Sequence, residues 1–454
     1  MTFKRFPDDF LFGAATSSFQ IEGSTHADGR GPSIWDTFCA ELGRIKDATD
    51  GRVACEHYTR MPQDVALMAS LGLQAYRFSV AWPRVLPEGR GRVEPRGLDF
   101  YERLVDTLLE HGIQPWCTLY HWDLPDALEQ RGGWPARETC DAFVEYADVV
   151  TRRLGDRVKH WITHNEPWCI AMLGYMTGEQ APGKRDWGLA LRAAHHVLLS
   201  HGQAVPVIRA NSAGAQVGIV VNLCPAEPAS PSAADADATR AFDGWFNRWY
   251  LDPVHGRGYP QDVIEDYARK GHIPAPSLDF VRPGDLETMG VQTDFLGINY
   301  YSRAVIRSEA VPETENAPPT VVADGPRTDM GWEVAPAALT RLLRDLHTTY
   351  GPQALYITEN GCAYPTAPDA DGRVRDVERV AYFASHLAAC HDAVSAGVPL
   401  KGYFAWSLMD NFEWAWGYEK RFGLVWVDYE TQTRVLKDSA YLYQQVISAR
   451  GLDA

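Results

Sequence analysis

Long apolar runs, a leader segment, paired cysteines and positive charge are all in short supply in this chain, and each shortage excludes something. No segment of the 454 residues approaches the ~18 consecutive apolar side chains that a membrane helix needs. The amino-terminal run Met1-Thr2-Phe3-Lys4-Arg5-Phe6-Pro7-Asp8-Asp9 has a basic pair with no apolar core behind it. It does not read as a secretory leader, so a cytoplasmic protein is expected. The eight cysteines are scattered singly, with no Cys-x-x-Cys and no Cys/His ladder. Reduced, mostly buried thiols are expected rather than a disulfide framework or a zinc site. Lys and Arg number 43 against 59 Asp and Glu, a net charge of −16. That balance argues against nucleic acid or an anionic membrane surface as partner. A neutral or cationic ligand fits better than a polyanion. No glycine-rich phosphate turn follows the first apolar run, and no internal repeat or linker divides the chain.

What is present is a large core and a regular alternation. The composition is 45% hydrophobic and 11% aromatic. Apolar runs rich in β-branched and aromatic residues predict strands at Phe10–Ala15, Gln74–Val80, Gln114–Tyr120, Val158–Thr163, Gln216–Asn222, Phe295–Tyr300, Ala354–Thr358 and Leu400–Trp406. Helices are predicted at Pro62–Leu71, with Pro62 in the first turn and Gly72 as carboxyl cap. A second has Phe100, Tyr101, Leu104, Val105, Leu108 and Leu109 on one face. Others follow at Arg137–Leu154, Leu189–Arg209, Ala337–Tyr350, Arg379–Ala396 and Ser439–Arg450. The stretch up to Gly51, the segment Pro225–Ala238 and the run holding Pro312, Pro318 and Pro319 read as loops. Eight strands, each followed by a helix, predict an α/β fold: one (β/α)8 TIM barrel spanning residues 1–454. A doubly wound sheet is the alternative, and the count of eight favours closure. In such a barrel the chemistry sits at the carboxyl ends of the strands.

Two strand ends are built alike. Tyr356-Ile357-Thr358 runs into Glu359-Asn360-Gly361, and Trp161-Ile162-Thr163 runs into His164-Asn165-Glu166-Pro167. A carboxylate at the end of a buried strand is costly unless something there needs it. The other strand ends supply Gln20 and Glu22, Arg77, His121-Trp122-Asp123, Asn222, Asn299-Tyr300-Tyr301, Trp406 and the loop Glu413-Trp414-Ala415-Trp416. Amides and carboxylates suit bidentate bonds to vicinal hydroxyls, and indole faces suit the apolar C–H faces of a pyranose. Such a set describes a sugar pocket beneath long loops, and two glutamates inside it describe glycosidic bond cleavage.

These residues carry a close resemblance to glycoside hydrolase family 1, the β-glucosidases. Phe10-Leu-Phe-Gly-Ala-Ala-Thr-Ser-Ser-Phe-Gln20-Ile-Glu22 resembles the family's opening signature. Thr163-His-Asn-Glu166-Pro167 resembles its acid/base motif, and Ile357-Thr-Glu359-Asn-Gly361 its nucleophile motif. Trp406-Ser-Leu-Met-Asp-Asn-Phe-Glu413-Trp414 resembles its sugar-binding motif. The likeness runs from about Phe6 to Gln444. It implies a retaining double displacement with Glu359 as nucleophile and Glu166 as general acid/base. Arg77, Asn299 and Tyr301 would support them. Gln20, His121, Asn165, Glu413 and Trp414 would hold ring hydroxyls, Trp406 would be the stacking floor, and Trp122, Trp332 and Phe422 would complete the walls. Retention calls for carboxyl groups ~5–5.5 Å apart. Arg77 and Tyr301 should favour ionised Glu359, while Glu166, with no cation in its motif, should have a raised pKa.

The expected substrates are β-glucosides and cello-oligosaccharides, with galactosides and fucosides as side substrates and no cofactor or metal. A transglycosylase, a 6-phospho-β-glycosidase and a non-catalytic sugar-binding protein are the alternatives, and the oligomeric state is open. Glu413 disfavours the second, because it would repel a 6-phosphate. Gln180 and Ala335-Pro336-Ala337 depart from the family's usual residues on the leaving-group side. Trp416 reads as packing, Cys169 as a structural thiol, and His195, His196 and His201 as helix surface or core.

Overall fold

In the computed structural model, which describes residues 2–308, 320–321 and 325–453, the chain forms a closed barrel of eight parallel strands. They are β1 (Leu11–Ala15), β2 (Ala75–Ser79), β3 (Gln114–Tyr120), β4 (His160–Asn165), β5 (Gln216–Asn222), β6 (Phe295–Asn299), β7 (Leu355–Asn360) and β8 (Leu400–Trp406). Neighbours in space follow chain order all the way round, and β8 closes on β1 with Trp406 opposite Ala15. All eight predicted strands are present. The fourth is displaced two residues towards the carboxyl end, because His160 pairs with Trp116 and with Gln216, and Val158 precedes the ladder.

The helices between strands include α1 (His57–Ser70), α2 (Pro95–Glu110), α3 (Glu138–Leu154) and α4 (Trp187–Asn211), then α5 (Ala233–Asp243), α6 (Trp249–Val254), α7 (Gln261–Arg269) and α8 (Asp285–Met289) in the long β5–β6 connection. The last three are α9 (Pro336–Tyr350), α10 (Val377–Ser395) and α11 (Asp438–Ala449). Helix α2 shows why the pattern was readable: Leu98, Phe100, Tyr101, Leu104, Val105 and Leu108 are buried on one face. Leu109 is exposed, one position off that stripe.

Three expectations need correcting. Pro62 lies inside α1, not in its first turn, since the helix starts five residues earlier at His57. The stretch before Gly51 is not all loop. Ile34–Ala40 is a helix opened by a reciprocal Ser33/Asp36 capping box, a start signal that the surrounding glycines and charges obscured. Pro225–Ala238 is likewise not a plain loop. Ala226–Pro228 pairs in parallel with Ala304–Ile306, and α5 begins within it, where the Ser232 hydroxyl accepts from Asp235 N. Alanine, the best helix former, was there read as low complexity. The predicted loop residues Pro312, Pro318 and Pro319 lie outside the described residues.

The barrel interior is stoppered by aromatic rings. Trp116 stacks on His160 at 4.2 Å and packs against Tyr356 (4.7 Å), Phe404 (5.1 Å) and Phe295 (5.3 Å). These rings fit because glycines face them: a Cβ on Gly13 would lie 2.6 Å from the Phe404 ring, and one on Gly218 2.5 Å from Phe295. Above this plug the strand ends turn polar. Among the described residues no helix is long and apolar enough to cross a membrane. A separate groove of about 530 Å³ at the amino-terminal end of the barrel is lined by Asp8, Asp9, Gln74, His111 and Gln114, and none of the sequence-predicted site residues borders it.

Candidate active site

The carboxyl ends of the strands bring the predicted residues into one buried network. Arg77, on β2, is the hub. Its Nη1 donates to Glu359 Oε1 at 2.6 Å and to the Thr358 carbonyl at 3.1 Å, its Nη2 to Asn165 Oδ1 at 2.6 Å, and its Nε to Thr118 Oγ1 at 3.2 Å. Tyr301 donates its hydroxyl to Glu359 Oε2 at 2.7 Å, so each oxygen of that carboxylate has a donor. Asn299, the last residue of β6, bridges to the other acid: its Nδ2 donates to Glu166 Oε1 at 2.7 Å and to Asn165 Oδ1 at 3.0 Å. Its own Oδ1 accepts from Thr358 Oγ1 at 2.8 Å, which fixes the amide's orientation. A continuous chain of bonds thus runs Glu359–Arg77–Asn165–Asn299–Glu166, from β7 through β2, β4 and β6.

The aromatic and amide residues close around these two acids. Asn165 Nδ2 donates to His121 Nε2 at 3.1 Å, and Trp122 Nε1 donates to the Asn165 carbonyl at 2.9 Å. Trp406 and Trp414 both lie nearly parallel to His121, at 5.8 and 5.9 Å, and Trp414 is 4.7 Å from Trp122. Gln20 Nε2 reaches the Phe412 carbonyl at 2.9 Å and Glu413 Oε2 at 3.4 Å. Tyr301, Trp332 and Phe422 form a ring triad with spacings of 5.2–6.2 Å. Every residue predicted for the site therefore joins one connected cluster. Three of them, Trp122 (φ 77°), Glu166 (φ 52°) and Trp414 (φ 50°), have left-handed backbone. That region costs a non-glycine residue of order 1–3 kcal/mol, and such outliers collect at functional sites.

A family model described as glycosyl hydrolase family 1 matches residues 2–452. The chain belongs to glycosyl hydrolase family 1. Beta-glucosidase A of Thermotoga maritima is 47% identical over the whole of both chains. A bifunctional beta-D-glucosidase/beta-D-fucosidase of Bifidobacterium breve is 43% identical over 98% of each. The solved structure of a Thermotoga maritima beta-glucosidase in complex with glucoimidazole superposes with a TM-score of 0.94 at 46% identity, covering 99% of this chain and all of that one.

The electrostatics of this glycosyl hydrolase separate its two acids. Burial is the main force on Glu166, followed by the charge of Glu359, and together they push its carboxyl up to about 7. That agrees with the sequence expectation. Burial also lifts Glu359 above the ordinary value, while Arg77 and Tyr301 pull it back. The expected net lowering is therefore outweighed by the loss of water around the group. The difference between the two acids survives: a guanidinium touches Glu359 and, among the described residues, no cation touches Glu166. Burial, with the charges of Glu359 and Glu166, pushes Glu413 up to about 8. His121 is held neutral by burial, and its Nδ1 has no partner among the described residues.

Other sequence readings fare differently. Trp416 is half-buried, with the ammonium of Lys46 over its ring and that of Lys420 at 4.7 Å from its centroid, so it packs under lysines at the surface and not in the core. His195, His196 and His201 are buried on α4 with Asp285, Trp134 and Thr163 as partners. Among the described residues no group of three His, Cys, Asp or Glu could hold a metal ion. Gln180 lines a small cavity with Trp122, Trp134 and Cys169, and the Ala335 carbonyl accepts from the Tyr300 hydroxyl at 2.6 Å. The Cys169 thiol donates to Glu166 Oε2 at 3.0 Å. The sequence places this thiol three positions past Glu166, just beyond the Pro167 that opens the helix. Thr118 and Thr358, which orient Arg77 and Asn299, were missed. Nothing in sequence separates them from ordinary strand threonines.

Proposed function

We propose that this chain is a retaining β-glucosidase acting on terminal non-reducing β-D-glucosyl residues. The observation that carries the reading is the unbroken bond chain from Glu359 through Arg77, Asn165 and Asn299 to Glu166. It ties a carboxylate in contact with a guanidinium to one that burial keeps protonated near neutrality. In the first step Glu359 attacks the anomeric carbon while Glu166 protonates the departing oxygen. Formation of the glycosyl ester removes the negative charge of Glu359. Glu166 then loses the repulsion that helped raise its pKa and takes a proton from the incoming water. Gln20, His121, Asn165, Glu413 and Trp414 hold the ring hydroxyls, Trp406 stacks under the ring, and Trp122, Trp332 and Phe422 wall the pocket. Protonated Glu413 donates to a hydroxyl. In its ionised form, above about pH 8, it would also repel a 6-phosphate.

The names of the relatives, beta-glucosidase and beta-D-glucosidase/beta-D-fucosidase, support gluco- and fuco-configured substrates here too. The test is the Glu359→Gly variant with 4-nitrophenyl β-glucoside and azide. Turnover should vanish and return with azide as the α-glucosyl azide. A β-glucosyl azide, or no rescue by azide or formate, would refute Glu359 as nucleophile. Comparing 4-nitrophenyl β-glucoside with its 6-phosphate settles the alternative, with the unphosphorylated compound expected to react.

A further inference from the structure

The two oxygens of Glu166 have different partners, and only one of those partners can serve both protonation states. Oε1 takes an N–H from Asn299, whose amide is locked by its bonds to Asn165 and Thr358. An amide nitrogen donates and cannot accept, so a proton on Oε1 would face an N–H. Oε2 faces the Cys169 thiol at 3.0 Å. A thiol is a rotor: it donates its S–H to a carboxylate, or turns and accepts weakly from a carboxylic O–H. Behind it, Asn222 Nδ2 lies 3.6 Å from the sulfur and offers it an N–H. That contact occupies a sulfur lone pair and leaves the S–H free to point at Glu166. Cys169 opens a π-helical stretch, Cys169–Thr177, directly after Glu166-Pro167-Trp168, which places the sulfur one turn beyond the acid.

We propose that Cys169 is a positioning residue for the acid/base carboxyl, keeping the transferable proton of Glu166 on Oε2 and stabilising the carboxylate once that proton has gone. The inference rests on the reading of Glu166 as acid/base. Burial holds the thiol far above its ordinary pKa, so it stays a neutral donor throughout. The other groups that act on Glu166 are Glu359 from β7, Arg77 from β2, Tyr301 after β6 and Glu413 after β8, with neutral His121 bonded through Asn165. Each of them remains when Cys169 is changed.

The test is the pH dependence of kcat/KM for wild type, Cys169→Ser, Cys169→Ala and Cys169→Val. Two substrates are compared: phenyl β-glucoside, whose departure needs a proton, and 2,4-dinitrophenyl β-glucoside, whose departure does not. Loss of the thiol donor destabilises the ionised carboxyl. With the phenyl substrate, alanine and valine should both move the alkaline limb upward by about half to one pH unit, the scale of one hydrogen bond to a charged group. Serine, which retains a rotor, should not move it upward. With the dinitrophenyl substrate the alkaline limbs of all four should coincide, whereas a limb set by Glu413 would shift with both substrates. Alanine and valine limbs unmoved, or a serine limb displaced upward with them, would overturn the proposal and leave Cys169 as packing. Glu166→Ala separates the two levels. If that variant cleaved phenyl β-glucoside at the wild-type rate with the same alkaline limb, the acid/base reading itself would fail.

Discussion

The ends of β4 and β7 carry the same residue type, each beside an asparagine, and their surroundings make them chemically unlike. Glu359 receives an Arg77 N–H and a Tyr301 O–H, one on each oxygen. Glu166 receives an amide N–H and a thiol S–H, both from uncharged partners. Both are buried, so both feel desolvation, yet among the described residues only Glu359 has a cation at hydrogen-bond distance. The comparison teaches that the proposed division of labour between nucleophile and proton donor rests on what neighbouring strands contribute. The motifs that hold the glutamates do not contain it: β2 supplies the guanidinium, and β6 supplies the amide and, just past its end, the phenol.

That contrast can be broken from either side. The largest effect is expected from Glu359→Gly, a loss on the order of 10⁴-fold or more in kcat, since removing the attacking group disables the whole unit. Arg77→Met should come next. It leaves Glu359 buried without its cation and Asn165 Oδ1 with Asn299 but no longer Arg77 as donor, and costs about 3–5 kcal/mol of stability by chemical denaturation, with activity lost even in the folded fraction. Glu166→Ala should sharpen the comparison by leaving group. Cleavage of phenyl β-glucoside should fall ~10²–10⁴-fold, while the first step with dinitrophenyl β-glucoside stays near wild type, read by burst kinetics. Tyr301→Phe removes one bond to a charged oxygen and should reduce kcat/KM by ~10–10². It should also move the acid limb upward, because a carboxylate that has lost a donor ionises less readily. The unmodified enzyme should lose activity on phenyl β-glucoside above about pH 7, as Glu166 gives up the proton it must donate.

Much of this arrangement was legible because barrel strands buried on both sides are short apolar runs, and the polar residues that end them stand out. Asn165, Glu166, Asn299 and Glu359 could be read from that contrast, whereas Arg77 stands in mid-strand and its role was implied by the family resemblance. The excursions were not. Ser232 and Asp235 open α5 with a local signal too small to outweigh the Pro, Ser and Ala around it. The upward shift of Glu359 depends on how completely neighbouring loops exclude water, a property of three-dimensional closure that no spacing encodes. Cys169 was visible as a thiol one turn from Glu166, but its direct contact with the carboxyl becomes apparent only once the π-helical turn sets the angle.

The ring plug built on Trp116 and His160 has a consequence for traffic. A barrel stoppered from beneath works as a blind well: whatever leaves the glycosyl ester and whatever next attacks it use the same mouth.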